Sequence, residues 1–81
     1  MIKVYCDYHT PTIVYAHDED GWHIVPATID GWRNRRPWNP APAVAKRLAT
    51  EENRINFYGL PQLAEQAYGF PADRIEVARL G

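Results

Sequence analysis

The chain has 81 residues, enough for one small domain, and its 46% apolar and 23% charged composition suits a packed core rather than a disordered tail. A formal net charge of -1 excludes a global field that would recruit polyanions or anionic membranes, so any such binding must come from a local patch. A single cysteine excludes an intramolecular disulfide, and neither a membrane-length apolar run nor a signal-peptide pattern is present, so a cytoplasmic protein without membrane association is expected.

The first half reads as strand. Ile2, Val4 and Cys6 alternate with Lys3, Tyr5 and Asp7, the period-two pattern of a half-buried strand near 2–8. His9-Thr10-Pro11 supplies a turn, and residues 12–17 resume a β-rich run. Asp20-Gly21 suits a tight hairpin with glycine at positive φ, which places a third strand near 22–28. A two-residue loop there puts Ile13, Tyr15 and Ile24 on one face, taken here as the core face. Pro26 assigns the third strand to an edge or to its own end.

The second half reads mostly as helix. Asn39-Pro40 has the chemistry of a helix start, and Ala41, Val44, Ala45 and Leu48 fall on one stripe, predicting a helix near 40–54. Thr50 to Asn53 resembles an imperfect capping box, an alternative in which the helix breaks there. Pro61 opens and Gly69 closes a helix near 61–68, and Pro71 stops its continuation. Residues 74–80 are the candidate fourth strand, because Ile75 and Val77 alternate with Glu76 and Ala78; a helix is the other reading of this stretch. The expected fold is therefore α+β: a three- to four-stranded antiparallel meander covered on one face by two helices.

Between the halves lies Gly31 to Pro40, with three arginines and two tryptophans. Tryptophan and arginine are the types enriched at interface hot spots, so Trp32, Arg33, Arg35, Arg36 and Trp38 are the candidate binding residues for a protein partner. The same side chains suit phosphates and stacked bases, and with Lys46 and Arg47 they make nucleic acid the second reading. A structural reading competes with both: the tryptophans pack in the core while the arginines answer the acidic residues at 18–20 and 51–52. Self-association through the exposed aromatics or a free sheet edge, giving a homodimer, is a further alternative.

Other chemistry is sparse. Cys6, His9, His17 and His23 are zinc-ligand types, but one thiolate at this spacing does not make a standard site. Cys6 shares the parity of Ile2 and Val4, which points to a buried, inert thiol rather than a nucleophile. Asp18-Glu19-Asp20 lacks the spaced oxygen ligands of a calcium loop and reads as a solvated hairpin tip. The chain contains no glycine-rich phosphate loop, nucleophile elbow or metalloprotease pair. The expectation is a small non-enzymatic protein without cofactor or metal that acts as an accessory or inhibitory protein by occupying a partner protein's surface. Nucleic-acid binding is the alternative, and a Cys/His enzyme or metal protein the distant third.

Overall fold

The computed structural model describes residues 1–7, 10, 12–55 and 61–76. Four strands form one antiparallel sheet in sequence order: β1 (Lys3–Cys6), β2 (Ile13–Asp18), β3 (Gly21–Pro26) and β4 (Arg36–Trp38). Two α-helices follow, α1 (Pro42–Leu48) and α2 (Pro61–Tyr68), with 3₁₀ turns at Glu51–Asn53 and Ala72–Arg74. The expected α+β meander with two helices is the architecture observed.

The hairpin tip sets the register. Asp18 pairs with Gly21, so the two loop residues are Glu19 and Asp20, one position earlier than the Asp20-Gly21 loop expected. The Asp18 carboxylate accepts the Asp20 amide at 2.9 Å, a local side-chain turn that fixes the chain reversal there. Gly21 then enters β3 at φ 110°, a conformation costly for a residue with a Cβ. Moving the loop by one position keeps the parity, so Tyr15 opposes Ile24 and Ile13 shares their face.

That face is not the deepest core. Ile2, Val4, Val14, Ala16 and Val25 line the other side of the sheet and are almost fully buried, under Trp32, Ala64, Phe70 and Ile75. On the Ile13 side Tyr5, Tyr15, Trp22 and Trp38 form an aromatic layer, most of it half-buried. The assignment of the core to Ile13, Tyr15 and Ile24 is therefore corrected. Both faces carry apolar side chains, and the smaller Val and Ala side allows a helix and the Trp32–Phe70 pair to approach closely.

The helices also divide between the faces, rather than sharing one. Ala64 of α2 packs in the Val/Ala core, whereas Ala45 of α1 shares a cleft with Trp22 and Trp38, and Arg47 reaches Asp7 at 3.3 Å. The first helix is shorter than expected. Ala41 precedes Pro42 and is held extended at φ -59°, ψ 145°, because the proline ring disfavours helical geometry in the residue before it. At the far end Asn53 donates its side-chain amide to the Arg47 carbonyl at 2.7 Å and to Thr50 Oγ1 at 3.0 Å, which closes the helix at Leu48. The break expected as the alternative at Thr50–Asn53 is thus the observed arrangement. Helix α2 has its expected limits, with Gly69 at φ 76° after its last residue and the Gly69 amide bonded to the Glu65 carbonyl.

The fourth strand of the sheet lies at Arg36–Trp38, inside the arginine segment, and the strand expected near 74–80 is described only as far as residue 76. Ile75 makes only an isolated parallel bridge to Ile2, and residues 77–80 lie outside the described residues. With Tyr5 bridged to Arg54 and the Ile55 amide bonded to the Val4 carbonyl, chain segments cover the outer edge of β1. Among the described residues nothing pairs with the outer edge of β4.

Candidate functional site

The segment from Gly31 to Trp38 turns from one face of the sheet to the other, and its side chains part accordingly. Gly31 is buried where a Cβ would lie 2.1 Å from the Pro26 carbonyl oxygen, so only glycine allows the chain to pass. Trp32 follows, 7% exposed, with its amide donating to the Tyr68 carbonyl at 2.8 Å. Its ring lies 5.0 Å from Phe70 and meets the edge of His23 at 5.7 Å. Arg35 covers it: the guanidinium sits 4.1 Å from the ring centroid and donates to the Trp32 carbonyl at 2.9 Å. Trp32 and Arg35 therefore form a clasp that fastens the turn to the core beside α2.

Arg36 and Trp38 belong to the opposite face. Arg36 stands directly opposite Ile24, and Trp38 opposite Trp22, on the side shared with Ile13 and Tyr15. Trp38 is half-buried, 4.8 Å from Tyr15 and edge-on to Trp22 at 6.2 Å. Trp22 continues the layer to Tyr5 at 5.3 Å and His17 at 5.0 Å. Proline is tolerated in β4 because the strand is an edge, and Pro37 also withholds a donor from any further strand.

Two clefts flank this aromatic layer. The first, about 640 Å³, has an aliphatic floor of Ile13, Ile24 and Pro26, with Asn34, Arg35 and Arg36 at its rim. The second, about 430 Å³, runs between Trp22, Trp38, Pro40 and Ala45, with Asp20 at its end. The side chains of Arg33 and Arg36 are exposed and make no hydrogen bond or ion pair with the described residues, in contrast to those of Arg35 and of Arg47, which is bound to Asp7. Of the five candidate residues, the fold brings Arg36 and Trp38 together on a displayed face, assigns Trp32 and Arg35 to the clasp, and leaves Arg33 in the connecting turn. Tyr15 and Trp22 join the displayed face. Their strand parity relative to Ile24 was the signal available for them in the sequence.

The remaining polar groups are arranged differently from a catalytic or metal centre. The two-residue loop sends His17 and His23 to opposite faces, and among the described residues no three His, Cys, Asp or Glu side chains gather as metal ligands. His9 lies outside the described residues. Cys6 is half-buried opposite Val14. His23 Nδ1 is buried 3.7 Å from an Asp18 carboxylate oxygen and has no hydrogen-bond partner among the described residues, so this contact becomes an ion pair only when the imidazole is protonated. The hairpin tip is less solvated than expected, since Asp18 is buried. Glu19 meets the terminal ammonium and Arg74, and hydrogen bonding from that ammonium is the main cause that pulls its carboxyl down from 4.5 to about 2. No described helix is long and apolar enough to cross a membrane. No protein-family description, curated protein or solved structure matches the chain.

Proposed function

We propose that this chain is a small non-enzymatic protein that binds another protein through the open β4 side of its sheet, acting as an accessory or inhibitory protein by occupying that partner's surface. One observation supports the reading above others: Arg36, Ile24, Tyr15, Trp38 and Trp22 make a continuous face beside the sheet edge left unpaired among the described residues. Half-buried aromatics next to a guanidinium without a partner among the described residues have the composition of an interface hot spot, and their packing holds them in place before binding, which lowers the ordering cost. Nucleic acid is less well served. Arg33, Arg36 and Lys46 are the exposed cations of this region without a partner among the described residues, so a duplex would give a salt slope of at most about -3.

The test is capture on the immobilised wild-type protein, compared with Trp38→Ala and Arg36→Glu, at low and high salt and with nuclease treatment. Protein binding predicts a retained polypeptide that survives nuclease and is lost with Trp38→Ala. Retention of nucleic acid, or a polypeptide held equally by the wild type and Trp38→Ala, contradicts the reading.

A further inference from the structure

We infer that the cleft floored by Ile13, Ile24 and Pro26 accepts an acidic, apolar peptide segment, with an aspartate or glutamate carboxylate on Arg36 and a neighbouring aliphatic side chain on the floor. This names the partner chemistry of the face described above and rests on that reading.

Strand register places these groups side by side. Ile24 opposes both Tyr15 and Arg36, and Ile13 opposes Pro26, so the strand pairing itself brings a guanidinium beside three apolar side chains. The two arginines at the rim are not equivalent. Arg35 is committed to the Trp32 ring and carbonyl, whereas the guanidinium of Arg36 has no partner among the described residues. A free guanidinium presents a planar fork that matches a carboxylate with two parallel hydrogen bonds. No carboxylate lines the cleft, so the charge is not answered from within among the described residues, and Asn34 adds a polar neighbour at the rim.

The floor decides which anion fits. Single-stranded nucleic acid needs aromatic faces for its bases beside its phosphates, and among the described residues no aromatic side chain lines this cleft, whose apolar part is Ile13, Ile24 and Pro26 beside the polar Thr12 and Asn34. A free phosphate would satisfy the guanidinium but leave the floor wet. A peptide carrying Asp or Glu beside Leu, Ile or Val covers both, and its burial of aliphatic surface adds to the charged hydrogen bonds.

The experiment is an NMR titration that follows the methyl signals of Ile13 and Ile24. The probes are acetyl-Leu-Glu-Leu-Glu-amide, acetyl-Leu-Lys-Leu-Lys-amide, inorganic phosphate and oligothymidylate, each against wild type, Arg36→Gln and Arg36→Lys. The expected result is a saturable shift of both methyl groups with the glutamate peptide and none with the lysine peptide. Arg36→Gln weakens the interaction at least about tenfold, and Arg36→Lys loses less. Arg36 is exposed, so near-ultraviolet circular dichroism should show all three proteins identically folded. The inference is overturned by an absent shift, by equal shifts with both peptides, by phosphate reproducing the peptide's effect, or by tighter binding of oligothymidylate. Capture that depends on Trp38 but not on Arg36 also overturns it while leaving protein binding intact; capture that depends on neither sinks both.

Discussion

Replacing Gly31 with alanine tests the clasp at its tightest point. The added Cβ would lie 2.1 Å from the Pro26 carbonyl oxygen, 3.0 Å from the Thr28 carbonyl oxygen and 3.0 Å from a Val25 methyl group. Two of these neighbours are backbone, so no side-chain rotation relieves the contact and the turn itself must shift. Overpacking of this kind costs about 1–3 kcal/mol, and the contact here is at the severe end. The loss of chain freedom in the unfolded state offsets about 0.4–1 kcal/mol of that for a Gly→Ala change. The net expectation is a destabilisation of about 2 kcal/mol, which for a domain of this size lowers Tm by roughly 8–16 °C. Because Gly31 leads directly into Trp32, the near-ultraviolet signal of the indole should change as well. Thermal and urea unfolding measure the first effect and circular dichroism the second. Wild-type stability with an unchanged indole signal would show that the chain passes Pro26 without needing glycine, against the close approach at this position.

Other expected outcomes follow from single contacts. Arg35→Gln removes the guanidinium over Trp32 and should cost about 1 kcal/mol by urea unfolding, whereas Arg36→Gln should leave stability within about 0.5 kcal/mol of wild type. Leu48→Ala empties a fully buried site under α1 and should cost about 3 kcal/mol. Gly69→Ala forces a side chain into φ 76° with the Ile29 carbonyl 2.9 Å from its Cβ, and should lower stability by about 1–2 kcal/mol. Glu19 has a folded-state pKa depressed from 4.5 to about 2, so its contribution is present above 4.5 and is lost as pH falls toward 2. Glu19→Gln should lower Tm slightly near neutrality, converge with the wild type as pH falls toward 2, and so flatten the fall of Tm across that acidic interval.

Much of the fold was legible because local chemistry and tertiary packing agree. Alternation marked β1 to β3, the Asp18–Gly21 turn fixed a parity that survives a one-position change of loop, and Pro61 with Gly69 bounded α2. The legibility failed where two answers had equal local support. Ile13, Tyr15 and Ile24 are as apolar as Val14, Ala16 and Val25, so parity grouped each set without saying which one a helix and Trp32 would cover. Arg36-Pro37-Trp38 is too short for periodicity and contains proline, which argues against a strand unless the strand is an edge. The fates of Trp32 and Trp38 depend on that strand, because pairing Trp38 with Trp22 commits it to the aromatic face and the turn before it sends Trp32 through to the other. Composition alone made all five residues of the segment look alike as binding candidates. The division between Arg35, committed to Trp32, and Arg36, whose guanidinium has no partner among the described residues, exists only in three dimensions.

The most direct test of that division is the solvent exposure of each indole, measured by emission and acrylamide quenching in variants that keep one tryptophan and replace the other two with phenylalanine. The protein retaining Trp32 should emit as a buried indole and resist quenching, while the protein retaining Trp38 should be quenched readily. Ready quenching of Trp32, or a Trp38 as protected as Trp32, would contradict the division of the segment between core clasp and displayed face.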